Sequence, residues 1–577
     1  MRHGNTRYGN RKRKTIMAKL NRTNGPYIVA GSLLVTAAIL AGKNLTLAGP
    51  LIPTQRIEKS LGIPEESDVK APVDYGPGPG AKPNEEIAGT KLSLANSQTS
   101  GQIPLGGAAA NIAGVFGPAV TWPIIPIHAV LLPDGRVMNY GTNALGQQGA
   151  QLVYDVWDPS MGTGTNAHLV LPNTTHTDLF CGAQSVMLSG KVLTSGGDLT
   201  VGGVRNSANN NTTIFSPTAN TLIENTPMTY ARWYASLVSL PDGRLAIFGG
   251  RQNVGPLTPT QPATTPELYH PGPNAWTPLT GATSTAAFGT GDWFYPRSYV
   301  APGGNVFVLA QDGSMFFVST AHAGSITQSK VTVPPGNFAL PTIPFAPGMA
   351  LSVRMNQQVV VIDYRKPTPV VTPISNIDQV RYWASGTILA DGKVLITGGS
   401  QISNELTGVA YQAQIWDPGT GAWTAGATAT KPRLYHSNSM LLPDATVLTG
   451  GGGAPGPVNN LNSEIYYPPY LYATNGTPAV RPVISATASK LLNPGDTVNI
   501  TVDPTDIISR LTFVRMGSAT HSNNSDQRFI ALHFTQEGQN VTAVLSKDTT
   551  TLVPGFYMLF AFNDAGVPSV AKIFDVK

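Results

Sequence analysis

The chain has 577 residues, 41% of them hydrophobic and only 12% charged, with a mean hydropathy near zero; this excludes a disordered chain and allows one large core and a smaller second one. With 61 glycines and 48 prolines, the composition suits short strands and tight turns and is poor helix material, so all-β is the expected class. The net charge of +5 does not mark a nucleic-acid binder: Arg2, Arg7, Arg11, Lys12, Arg13, Lys14, Lys19 and Arg22 all lie in residues 1–24 with no acid among them, and taking those eight from the 37 basic residues leaves 29 against 32 acidic ones.

In chain order, the basic head spans 1–25 and is followed over 26–42 by PYIVAGSLLVTAAILAG, an uncharged apolar run. Cations before such a run direct the downstream chain across a membrane, so the protein is expected to be extracytoplasmic. The run is shorter than the ~20 residues of a comfortable spanning helix, which leaves a cleaved signal peptide and a short membrane anchor both open. Residues 43–111, with PGPGAKPNEE, read as a tether.

From 112 to 478 one phrase recurs: an apolar run, a turn rich in Pro, Asp and Gly, a β-branched run, then Gly-Gly. It reads HAVLLPDGRVMNYG from His128, SVMLSGKVLTSGG from Ser185, ASLVSLPDGRLAIFGG from Ala235, SYVAPGGNVFVLA from Ser298, LSVRMNQQVVVID from Leu351, ASGTILADGKVLITGG from Ala384 and SNSMLLPDATVLTGGGG from Ser437. The spacing of about 50 residues is that of kelch repeats. Glycine in five of the seven turns supplies the positive φ of a tight hairpin, and Asp134, Asp242, Asp391 and Asp444 are turn formers. Outer-strand phrases such as YDVWDP at Tyr154 and AQIWDPGTGAW at Ala413 separate the copies. Four-stranded sheets cannot cover their own faces, so the repeats predict a seven-bladed kelch-type β-propeller. Over 479–577 the strands alternate without Gly-Gly endings and predict an immunoglobulin-like β-sandwich, interrupted by a polar loop, ATHSNNSDQR, from Ala519 to Arg528.

Chemistry concentrates at a few positions. Cys181 in DLFCGAQ is the only cysteine; it has no disulfide partner in the chain and is either an inert core residue or a reagent. Tyr234 in ARWYASL, Tyr435 and His436 in PRLYHSNS, and His521 in ATHSNN are candidate metal ligands. Singly, each reads as a pocket aromatic or a surface histidine. Together they are harder to dismiss, because Cys181, Tyr234 and the Tyr435–His436 pair precede inner strands at equivalent offsets, positions that converge on one mouth of a propeller. Two phenols and two imidazoles suit Cu(II), whereas structural zinc sites need several thiolates.

At these residues, and in RLYHSNSMLLPDATVLTGGGG, MGSATHSNNSDQRFI and PGFYMLFAFNDAGVPSVA, the chain resembles the galactose oxidase and glyoxal oxidase family of copper radical oxidases, from Thr121 to the C-terminus. The resemblance implies one copper ion, a thioether joining Cys181 to Tyr234 as a protein-derived radical cofactor, Tyr435 as axial phenolate, and His436 and His521 as imidazole ligands, His521 being delivered by the terminal, early-set domain. It further implies oxidation of a small alcohol, aldehyde or glycan with reduction of O2 to H2O2. Such a pairing is chemically sensible, since copper takes one electron and a two-electron oxidation needs a second centre.

Galactose-oxidising members place a stacking tryptophan where this chain has Gln252; Trp383 in VRYWASG and Trp293 in GDWFYPR are the candidates to cover Tyr234 instead, unless each is an ordinary blade aromatic. Arg297 aligns with the family's sugar-hydroxyl-binding arginine and reads either as an exposed substrate grip or as a surface ion pair, with Leu145 and Trp383 lining the same mouth. A non-catalytic kelch binding or matrix protein is the competing reading, and a propeller hydrolase is disfavoured by the scarcity of carboxylates at the mouth. The chain is expected to act as a monomer.

Overall fold

The computed structural model describes residues 103–255, 259–289 and 291–577. The basic head, the apolar segment and most of the tether lie outside the described residues. The tether itself ends earlier than its composition suggests: Ile103 packs on the main core and the Gly106 N–H donates to Gly476 O at 2.9 Å.

Among the described residues, α-helix is confined to Ala110–Ala113 and Thr285–Phe288, and the sheets are small and antiparallel apart from the parallel pairing of Leu491–Leu492 with Lys572–Val576. The repeats account for them. His128–Leu131 pairs with Val137–Tyr140, Ala183–Val186 with Val192–Ser195, Trp233–Ser239 with Leu245–Arg251, Arg297–Val300 with Val306–Leu309, Ser385–Ile388 with Val394–Thr397, and Ser437–Leu441 with Val447–Gly451. These strands are buried along their whole length, which is why they read as near-continuous apolar runs.

The copy at Leu351 sits one strand further out than its wording indicates. Met349–Val353 and Val359–Asp363 are the second and third strands of their sheet, and Thr342–Ala346 is the first. Asn356 and Gln357 both have positive φ and imitate the Asp-Gly turn, while the true first hairpin turns at Pro347–Gly348 with no aspartate to mark it.

First strands lie against one another in order, the Tyr299 hydroxyl donating to Thr342 O at 2.8 Å where Arg297–Val300 meets Thr342–Ala346, and Ser437–Leu441 returns to His128–Leu131. The sheet of Ser437–Leu441 is completed from the other end of the described chain, because Val115–Phe116 and Val120–Thr121 pair with Asn462–Tyr467. The early-set domain has two sheets. Ile484–Thr487, Thr497–Val502, Asn540–Val544 and Phe534–Glu537 form one, and Gly555–Asn563 lies between Ile508–Arg515 and Lys572–Val576 in the other. Val498, Ile500, Phe513, Tyr557, Leu559 and Phe574 form a core of their own between them.

The Gly-Gly endings seat the loop that leads into the next sheet. A Cβ on Gly196 would stand 2.1 Å from Arg232 O, and one on Gly249 would stand 2.5 Å from Pro296 Cγ; with the side chains absent, Gly197 N–H reaches Arg232 O at 2.9 Å and Gly250 N–H reaches Trp293 O at 2.6 Å. Arginine then clamps two of these loops. Arg232, two residues before Tyr234, binds Glu267 at 3.1 Å, and Arg433, two before Tyr435, binds Glu464 at 2.9 Å, all four side chains being buried.

A buried arginine left without its carboxylate is costly. Glu464→Ala, which also removes the acceptor for Thr430 N–H, is therefore expected to destabilise the fold by about 3 kcal/mol in urea denaturation. Asp363→Ala, at the more exposed Arg365 pair, should cost at most about 1 kcal/mol.

Candidate metal centre

Five side chains foreseen from sequence converge. Cys181 precedes Ala183–Val186, Tyr234 lies in Trp233–Ser239, and Tyr435 and His436 precede Ser437–Leu441. His521 arrives from the early-set domain, but not on an irregular loop. Ser518–Thr520 and Asn523–Asn524 form a hairpin that adds to the edge of His128–Leu131, with Thr520 opposite His128. His521 and Ser522 are its two turn residues, at φ 48 and 59, a pairing of positive φ values for which Asn-Gly is the usual sequence.

Cys181 Sγ lies 3.6 Å from His521 Nε2 and 4.0 Å from His436 Nε2. These three ligand atoms all fall within 4.8 Å of one another. The hydroxyls of Tyr234 and Tyr435 are in direct hydrogen-bond contact, and Cys181 is close enough to Tyr234 to add electrostatically to the rise that burial gives its pKa. Each imidazole is oriented through its other nitrogen: His436 Nδ1–H donates to Gly453 O at 2.6 Å, and His521 Nδ1 pairs with Thr520 Oγ1. Both Nε2 atoms are thereby turned to the same point, the arrangement metal-ligating histidines take.

Electrostatics favour a cation. Burial pulls His436 down to about 3 and lowers His521 well below its ordinary value, so both rings are neutral with free lone pairs. Burial, reinforced by Cys181, pushes Tyr234 and Tyr435 up, and burial likewise raises Cys181. The enclosed site therefore holds soft and nitrogen donors and two phenols with no charge among them, a set that a divalent cation would convert by drawing off phenol protons. The donors fit copper.

Six residues here share a left-handed backbone: Cys181, Tyr234, Tyr295, Trp383, His436 and His521. Such strain persists where the surroundings over-determine it and marks functional sites. Tyr295 was not singled out from the sequence; its ring lies 4.7 Å from His521 and 5.3 Å from Tyr234, and its hydroxyl donates to Gly182 O at 3.1 Å. Its position two residues before Arg297–Val300 matches that of Cys181 before Ala183, a signal available in the sequence.

The cover over Tyr234 is neither tryptophan anticipated. Phe294 stacks on its ring at 4.1 Å and 26°, with Trp233 tilted against it at 4.0 Å. Trp293 stands at 6.1 Å, and Trp383 instead packs on Tyr435 at 4.4 Å. Gln252 is half-buried with its N–H on Gln261 O. Arg297 is not exposed at a mouth: it is 5% accessible and donates to the carbonyls of Tyr295, Phe338 and Leu340. Its strand is buried at every position, so it forms neither a surface ion pair nor a free grip. Leu145 is exposed on its loop.

Removing the Thr520 hydroxyl leaves His521 present but no longer oriented. Thr520→Val is expected to weaken copper binding about 10- to 100-fold in competition with a chelator, and His521→Ala to weaken it further.

Two family models match the chain: Glyoxal oxidase N-terminus over residues 138–362 and Galactose oxidase-like, Early set domain over 481–576. A galactose oxidase of Gibberella zeae is 29% identical over 526 residues, spanning 85% of this chain and 73% of that protein. The aldehyde oxidase GLOX of Vitis pseudoreticulata is 24% identical over 473 residues, 72% of this chain and 86% of that one. A fungal alcohol oxidase solved in complex with copper superposes with a TM-score of 0.71 at 24% identity, covering 81% of this chain and 100% of that one. With both segments matched and the donor set assembled, the chain is recognised as a relative of the galactose oxidase and glyoxal oxidase family, whose matched members are alcohol and aldehyde oxidases.

Proposed function

We propose that this chain oxidises a primary alcohol or aldehyde by two electrons and passes them to O2, giving H2O2. One copper ion would be held by Tyr234, Tyr435, His436 and His521, and supplies the one-electron capacity that the side chains lack. Cys181 and Tyr234 would be joined by a thioether, which makes the phenol ring easier to oxidise; Phe294 and Trp233 shield it from solvent. The carrying observation is the convergence of the Cys181 thiol, two oriented imidazole Nε2 atoms and two touching phenols in one buried site.

Each residue then has a task. Tyr435, as phenolate, accepts the hydroxyl proton of the substrate. Tyr234, after losing an electron, takes the hydrogen on carbon. Over a cycle an alcohol loses two hydrogens and dioxygen gains them. The galactose and aldehyde oxidase relatives support an alcohol or aldehyde as substrate.

We further read the sheets of 112–478 as the blades of a seven-bladed propeller, the segment 479–577 as the domain that delivers His521, and residues 26–42 as the export or anchor segment of an extracytoplasmic monomer. A binding or matrix role without catalysis would leave the site chemistry unused.

Copper-loaded, aerated protein is expected to weigh less than the translated chain by two hydrogens, and Cys181→Ala and Tyr234→Phe to abolish that loss in intact mass spectrometry. The loaded enzyme should release peroxide with simple alcohols or aldehydes; no peroxide with any of them would sink the oxidase reaction, and an unmodified mass would sink the thioether.

A further inference from the structure

We infer that His128 is a positioning residue for the Cys181–Tyr234 pair, its imidazole fixing the Cys181 backbone so that the thiol is presented to the Tyr234 ring; this rests on the thioether proposed for that pair.

His128 is a third histidine beside the centre, completely buried and 5.6 Å from the His521 ring, yet both its nitrogens are already engaged. Its Nε2 accepts the Cys181 N–H at 3.2 Å, and its Nδ1 meets Gln184 Oε1 at 2.7 Å. An amide N–H can be accepted only by an unprotonated ring nitrogen, so the ring proton is on Nδ1 and donates to Gln184. Gln184 cannot turn over, because its Nε2 donates to Ala519 O at 3.3 Å and its Oε1 also accepts the Tyr140 hydroxyl at 2.7 Å. Tyr140 stacks on the imidazole at 4.4 Å and 6°. Every donor and acceptor from Ala519 to Cys181 therefore has one direction.

Cys181 needs such a hold. Its φ of 59 is a conformation side chains other than glycine rarely keep. Its N–H is fixed by His128, its carbonyl accepts Tyr234 N–H at 2.9 Å, and the next carbonyl, of Gly182, accepts the Tyr295 hydroxyl. Of these three bonds only that of His128 acts on the N–H of Cys181 itself. His128 also faces Thr520 across the strand pair, so one residue ties the thiol to the hairpin that brings His521. Forming the thioether makes one bond from sulfur to a ring carbon beside the hydroxyl and breaks one S–H and one C–H bond. Two protons and two electrons leave, and dioxygen takes them up as hydrogen peroxide in the presence of copper. A sulfur displaced by a relaxed backbone would miss the ring carbon, and misplacement by about 1 Å can cost about 100-fold in rate.

The test uses full-length chains given Cu(II) and O2, following loss of two hydrogens by intact mass and loss of free thiol by titration. His128→Leu is expected to slow bond formation by roughly tenfold or more with a smaller loss of copper affinity than the about 10- to 100-fold expected of Thr520→Val, and His128→Gln, which restores an acceptor towards Cys181, to recover most of the rate. Gln184→Leu keeps the ring but frees its tautomer and should also be slow. Wild-type rates in His128→Leu overturn the inference, and if that variant does not fold, a wild-type rate in Gln184→Leu does so. Slow closure in all three variants, with no recovery in His128→Gln, assigns the effect to ring packing and also overturns it. A wild-type chain that keeps both hydrogens overturns the thioether reading itself, an outcome distinguished by needing no variant.

Discussion

The pairing of Ser518–Thr520 with His128–Leu131 is the contact on which the centre depends. A strand register is exact to one residue, and a slip by one would turn every side chain to the opposite face. With Thr520 opposite His128, His521 stands at the turn, over the thiol of Cys181. Ser518 Oγ donates to Gln184 O at 3.0 Å, and Gln527 reaches both Gly386 O and Ile388 N–H, so the hairpin is held from several first strands at once. The early-set domain is thus part of the site, and neither domain alone contains the ligand set.

Local strain is the second constraint. Backbones at φ near 60 for cysteine, tyrosine, tryptophan and histidine cost about 1–3 kcal/mol each, and here they are concentrated around one point. The compensating contacts are visible nearby: glycine pairs that let the loops close down, and the Arg232–Glu267 and Arg433–Glu464 pairs that pin them. The repeat is therefore more than a means of making sheets. Its conspicuous glycines and its inconspicuous arginines, two residues before Tyr234, Trp383 and Tyr435, aim the aromatic side chains at the centre.

Burial then defines the chemistry. A site in which both imidazoles are neutral and both phenols are driven towards their protonated forms has little use as a polar core and much as a cation site. The aromatic shell of Phe294, Trp233, Tyr295 and Trp383 excludes water from around it and gives an oxidised ring no reactive solvent neighbour.

The repeats, the all-β class and the identity of Cys181, Tyr234, Tyr435, His436 and His521 were legible in the sequence, because apolar periodicity, turn glycines and ligand residue types are local signals. The misplaced copy at Leu351 shows the limit of that reading: Asn356 and Gln357 adopt the turn conformation without the usual residues, and only strand order reveals which hairpin is innermost. Tertiary structure alone decided that Phe294 covers Tyr234, that Arg297 spends its donors on backbone carbonyls, and that His128 stands behind Cys181. Those facts depend on which loops meet across sheets far apart in sequence, and residue order carries no distance between them until the strands have paired.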